Sequence, residues 1–149
     1  MFKKLLLTIF IIFIFFVNTF GASWNGIIPG HTDERLVRAI LGEPSIIWLS
    51  HPHKEYKTLK YNSEKAPPGT EEVNIIINQK TLKVERIDTK PKVKIDIKNI
   101  EQLYGQPNIE YFTDDLMKIQ KFYSEGIEVQ YKDDSFTVNS ISFVPVRKQ

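Results

Sequence analysis

The chain has 149 residues, 42% of them apolar and 26% charged, no cysteine, and a formal charge of +2. This composition excludes wholesale disorder, and the missing cysteine removes a disulfide framework, a thiol nucleophile and a zinc–thiolate site together. Lys3 and Lys4 belong to a leader; without them 18 basic residues face 18 acidic ones, so no long-range field draws nucleic acid.

Residues 1–23 read as a secretory signal peptide. Lys3 and Lys4 supply the positive start, and Leu5 to Val17 form a 13-residue apolar core broken only by Thr8. Gly21, Ala22 and Ser23 are the small residues expected near a cleavage site. The apolar run is shorter than the roughly 20 residues a spanning helix needs. The expectation is an exported protein, periplasmic or secreted, with no membrane span after leader cleavage.

Trp24 to Gly30 is an extended lead-in. Thr32 is the candidate N-cap of a first helix, with Asp33 and Glu34 in its first turn. Leu36, Val37, Ile40 and Leu41 fall on one helical face. Gly42 can close the helix with a positive φ, and Pro44 cannot continue it. Four strands follow: Ser45 to Ser50, Glu55 to Tyr61, Glu71 to Asn78 and Leu82 to Asp88. The turn His51-Pro52-His53-Lys54 separates the first two strands, and a stiff loop around Pro67-Pro68-Gly69 precedes the third.

The second half repeats this order. Ile100, Leu103, Tyr104, Gly105 and Pro107 echo Val37 to Pro44, with Gly105 standing 63 residues after Gly42. Asp96 is the candidate cap of a helix ending at Tyr104. Strands follow at Asn108 to Thr113, Lys118 to Tyr123, Ile127 to Tyr131 and Phe136 to Val144. Val73, Ile75, Ile77, Leu82, Val84 and Ile87 lie in step with Ile127, Val129, Tyr131, Phe136, Val138 and Ile141. Period-two alternation slips once in each half, between Val84 and Ile87 and between Val138 and Ile141. A β-bulge or burial on both faces accounts for such a slip. The sequence predicts an α+β fold of two tandem helix-plus-four-stranded antiparallel sheet units, one over residues 24–90 and one over 91–149.

The run Ile28-Pro29-Gly30-His31-Thr32, then Val37, then Leu41-Gly42-Glu43-Pro44, resembles the opening of the SmpA/BamE-type small outer-membrane lipoprotein domain. The tandem arrangement is similar to the β-lactamase-inhibitory-protein-like fold. The resemblance implies an exported protein that works by binding another protein. Lipoproteins of that type carry a cysteine at the mature start. This chain has none, so no lipid anchor is expected.

Of the residues able to do chemistry, His31, His51 and His53 form the one group resembling metal ligands. Asp114-Asp115 and Asp133-Asp134 sit in predicted turns, where Asp bonds nearby backbone, and lack the spacing of a calcium loop. No Gly-x-Ser-x-Gly elbow and no phosphate loop is present. No catalytic residue, metal ligand or cofactor is therefore assigned. An exported hydrolase or metal-dependent enzyme using the histidines, and a structural envelope component, are the alternatives.

The aromatic residues carry the functional reading. Trp48 shares a strand face with Ile46, and Tyr111 shares one with Ile109, while the opposite faces carry Ile47, Leu49 and Phe112. Lysines 57, 60, 118 and 121 are interleaved. Aromatics rimmed by charge make a protein-docking surface. The sequence predicts a non-enzymatic binding module whose sheet face, bearing Trp48, Tyr56, Tyr111 and Tyr123, docks a protein partner in the envelope or outside the cell.

Overall fold

A computed structural model describes residues 21–50 and 55–146. Most of the predicted leader, residues 1–20, the His-Pro-His-Lys turn at 51–54 and the three C-terminal residues lie outside the described residues. Within them the order is α1 (Glu34–Leu41), β1 (Ile46–Leu49), β2 (Tyr56–Asn62), a 3-10 turn (Ser63–Lys65), β3 (Thr70–Asn78) and β4 (Lys83–Pro91). Then come α2 (Ile97–Tyr104), β5 (Ile109–Phe112), β6 (Met117–Phe122), β7 (Ile127–Lys132) and β8 (Thr137–Phe143).

The expectation of two tandem helix-plus-four-stranded units is overturned. All eight strands form one antiparallel sheet in the order β1-β2-β3-β4-β8-β7-β6-β5. The join is β4 against β8, where Ile87 faces Phe143, Asp88 faces Ser142 and Thr89 faces Ile141. The physical reason is that a four-stranded half would leave a long apolar strand edge open to pairing. A unit of about 60 residues also buries too little surface to stand alone. Residues 22–30, the end of the predicted leader together with the lead-in, cross the join as well. The Ala22 amide donates to the Glu125 carbonyl at 2.7 Å and the Gly30 amide to the Val84 carbonyl at 2.7 Å, with Ile27 fully buried between them in sequence.

The helices are minor parts of this body. Each has eight residues, and their buried residues pack into clusters that share one sheet face. Val37 is the buried residue of α1, and Ile97 and Ile100 are those of α2. Leu36, Ile40 and Leu103 are exposed, so the helical apolar face predicted around Leu36 and Ile40 is only partly used. Asp33, not Thr32, caps α1, its carboxylate accepting from the Leu36 amide at 2.9 Å. Thr32 instead closes the lead-in turn, its hydroxyl accepting from the Ile28 amide. Asp96 caps α2. Gly42 and Gly105 stop the helices at φ +78° and +79°, as a residue without Cβ allows.

The core follows from strand alternation. One row of side chains runs Ile47, Leu59, Ile75, Ile87, Phe143, Ile127, Phe122 beneath the helices. Val37 packs into one buried cluster with Leu59, Tyr61, Ile75 and Ile87, and Ile97 packs into a second with Phe122, Ile127 and Val129. Phe143 packs against both clusters. Bulges sit at Glu85 and Asn139, where β3–β4 and β7–β8 each slip by one residue. They explain the broken alternation in the sequence. Strand β4 extends to Pro91, beyond the predicted end at Asp88. Leu82 and Phe136, which the sequence pattern predicts as strand residues, occupy hairpin turns at φ +58° and +52° and are exposed.

Because one sheet carries both clusters, unfolding should be a single transition. Tryptophan fluorescence, which reports only on residues 24 and 48, should coincide with far-ultraviolet circular dichroism. Phe143→Ala should cost about 2–3 kcal/mol, below the full aromatic-truncation range because Phe143 is half-buried. Two separated transitions in urea would contradict the shared core.

Candidate functional site

The sheet has a second face, on which no helix lies. Across it one ladder row passes through every strand: Ile46, Lys60, Asn74, Asp88, Ser142, Glu128, Lys121, Ile109. The row is apolar at both ends and charged in the middle. It exists because alternate residues of each strand point away from the core.

Its centre is a hydrogen-bonded cluster over the β4–β8 join. Arg86 Nε donates to Asp88 Oδ1 at 2.6 Å, Nη1 to Glu128 Oε2 at 2.9 Å and Nη2 to Ser142 Oγ at 2.8 Å. Ser142 Oγ donates in turn to Asp88 Oδ1 at 2.6 Å. Burial pushes the Glu128 carboxyl upward, but the Arg86 charge and hydrogen bond, with Lys121, outweigh it and hold the group below its ordinary value. The hydrogen bond from Lys60 likewise keeps Glu72 ionised to lower pH. The charges of this face are thus largely paired within it.

The two ends of the face are aromatic. Trp48 and Tyr111 are each 40% exposed. Lys60 Nζ lies 5.8 Å from the Trp48 ring centroid and Lys121 Nζ 5.4 Å from that of Tyr111, within cation–π range. Each lysine is also held by a carboxylate, Lys60 by Glu72 and Lys121 by Glu128 at 3.2 Å. All four residues of β1 and all four of β5 are exposed.

The structure therefore puts Trp48 and Tyr111 on one face but does not bring them together. They stand on opposite outer strands, seven strand spacings apart, or about 34 Å along a flat sheet. Tyr56 and Tyr123 are half-buried; Tyr56 opens β2, and Tyr123 lies in the turn just past β6 rather than on the predicted strand. Of the other strand aromatics, Tyr61, Phe122 and Tyr131 are core residues. Phe112 is exposed on the helix side of β5, with Lys118 Nζ 4.9 Å from its ring centroid.

Sequence reading missed a polar cluster on that helix side. Gln120 is 1% exposed at the position where the first half carries Leu59. Its amide nitrogen donates to Glu101 Oε1 and Glu110 Oε2, both at 2.8 Å. The Tyr131 hydroxyl donates to Glu110 at 2.9 Å. Burial first, and then Glu110, push the Tyr131 phenol up to about 12. The available signal was the break in apolar correspondence at Gln120.

His51 and His53 lie outside the described residues. Among the described residues no group of three or more His, Asp or Glu side chains is arranged to hold a metal ion. Asp133 pairs with Lys118 at 2.9 Å, and Asp115 accepts from the Thr113 hydroxyl, both turn-level roles. Among the same residues no helix is long and apolar enough to cross a membrane.

With this geometry in place the chain can be compared with known proteins. It is similar in fold to a DUF4309 family protein, YjgB, from Bacillus subtilis subsp. subtilis str. 168. The TM-score is 0.58 at 10% sequence identity, over 87% of this chain and 90% of that one. At that identity the likeness concerns the fold alone. No family model and no curated protein matches the sequence.

The Arg86 cluster yields a signed pH dependence. A carboxyl held below 4.5 in the folded protein contributes stability that is present above its unfolded value and is lost as pH falls through the folded one. Wild type should therefore exceed Glu128→Gln in urea stability at pH 7, and the gap should close as pH drops below about 4.5. A gap that widens on acidification would contradict the assigned pairing.

Proposed function

We propose that this is a non-enzymatic, exported protein-binding module. Its docking surface is the helix-free sheet face with its aromatic ends, and its partner is a protein in the envelope or outside the cell. The observation that carries this reading is the exposure of the two outer strands, β1 and β5, whose large apolar side chains are 40–57% exposed, each strand presenting an aromatic ring backed by a fixed lysine. Exposed large apolar side chains grouped in this way mark interaction surfaces. Rings already held by a neighbouring cation lose little freedom on binding, which favours them as anchors. Internal pairing of the charges between them leaves few groups to be stranded when a partner removes water. The resemblance of the Ile28–Pro44 run to SmpA/BamE-type domains points the same way.

The test is a comparison of wild type with Trp48→Ala/Tyr111→Ala in capture of a partner from the envelope fraction of the producing cell. Circular dichroism should stay the same, because both rings project from outer strands. Binding should fall at least ~10-fold, each ring being an anchor of about 1–2 kcal/mol. Unchanged capture by a folded double variant would remove the reading. Loss of fold would mean that the rings stabilise the sheet instead.

A further inference from the structure

We infer that the Gly21–Ala22 peptide bond is the processing site of this chain, so that the exported protein begins at Ala22. The inference rests on the export reading of the leader and names where that leader ends.

The residues alone admit two cuts. An envelope peptidase that removes a leader takes small side chains at the third and the first position before the bond it breaks. Gly21 with Ser23 meets that rule, and so does Thr19 with Gly21. By size the first pair is the better match, and it would start the mature chain at Trp24.

The fold favours the second pair, because it uses what the first would discard. The Ala22 amide donates to the Glu125 carbonyl at 2.7 Å, and Ala22 packs against the cluster of Ile97, Phe122 and Ile127. Two residues later Trp24 packs against the other cluster and exchanges backbone hydrogen bonds with Ile27 at 3.0 and 2.9 Å. The segment from Ala22 to Ile27 thus ties one cluster to the other across the β4–β8 join. A cut after Ser23 would strip its end from the second cluster and take a backbone donor from the Glu125 carbonyl.

Gly21 behaves differently from Ala22. Among the described residues it makes no hydrogen bond. Its φ is +76°, and a Cβ at this position would overlap Val146. The uncut chain passes Val146 only as glycine, and glycine is also what the peptidase takes at the first position. Both residues are half-buried in the folded chain, so the cut precedes folding.

The hydrolysis leaves a useful group behind. The C–N bond breaks, and the oxygen of water joins the Gly21 carbonyl carbon as a carboxylate that departs with the leader. Both water protons pass to the Ala22 nitrogen. The nitrogen that donates to Glu125 as an amide then donates as an ammonium, and a charged donor makes the stronger bond.

The test expresses the full chain, leader included, in an exporting cell and reads the exported protein by intact mass and amino-terminal sequencing. It should begin at Ala22. Thr19→Tyr puts a large side chain at the third position before this cut and lies outside the rival one, and should abolish the form that starts at Ala22. Ser23→Tyr blocks the rival cut at an exposed residue and should leave the Ala22 start unchanged. An exported wild type that begins at Trp24, or at any other residue, overturns the assignment and leaves export standing. Loss of processing in Ser23→Tyr with Thr19→Tyr cut normally does the same. Full-length protein kept inside the cell removes the export reading and this inference together. Neither result bears on capture of a partner through Trp48 and Tyr111, which is measured on the folded protein.

Discussion

The structure depends on a short ladder between β4 and β8. Three residue pairs join the two halves of the sheet, and each side of the sheet adds its own clamp there. On the core side, Phe143 fills space in both buried clusters, and the Thr89 hydroxyl donates to the Ile141 carbonyl at 2.9 Å. On the opposite side Arg86 reaches from β4 to Glu128 on β7 and Ser142 on β8. A few backbone bonds would hold two moving halves poorly. Packing above and a saturated ion cluster below convert the join into a continuous slab, because partners on both faces restrict the same three strands.

That slab determines what is left for function. Its central strands are hydrogen-bonded on both sides, and the central charges of the helix-free face are paired. Unused valence is therefore displaced to the rim, into the backbone edges of β1 and β5 and the side chains they carry. Helix placement reinforces this. α1 and α2 are two turns long and their buried residues pack over the two core clusters, while every residue of β1 and β5 stays exposed. The exposed outer strands, β1 wholly apolar and β5 interrupted by Glu110, are the geometry on which the proposed recognition rests.

Much of this was legible residue by residue. The Gly-x-Pro stops at Gly42 and Gly105, the capping Asp96, and the alternation through Val73, Ile75 and Ile77 follow from local sterics and a period of two. The bulges at Glu85 and Asn139 show in the sequence as one broken alternation in each half. Legibility failed where two local solutions compete. Asp33 and Thr32 are both good caps, and the backbone geometry of the lead-in selected Asp33. Leu82 and Phe136 keep the apolar pattern but sit at positive φ in turns, a conformation that large side chains rarely adopt. Leu36 and Ile40 mark a helical stripe, yet Val37 alone in α1 is buried, with Leu41 packed partly against the same cluster.

By itself the sequence determined the kinds of element, their order and the pairing of residues onto faces, since each of these is settled within a few residues by backbone sterics and side-chain period. It also determined that Trp48 and Tyr111 share their faces with Ile46 and Ile109. Only the tertiary structure decided that β4 bonds to β8, which merges both halves into one sheet and sends Trp48 and Tyr111 to opposite rims. The reason is that strand pairing is made by backbone amides and carbonyls, which are the same in every residue. Which edges meet is chosen by burial and closure of the whole chain, and no local run of side chains encodes it.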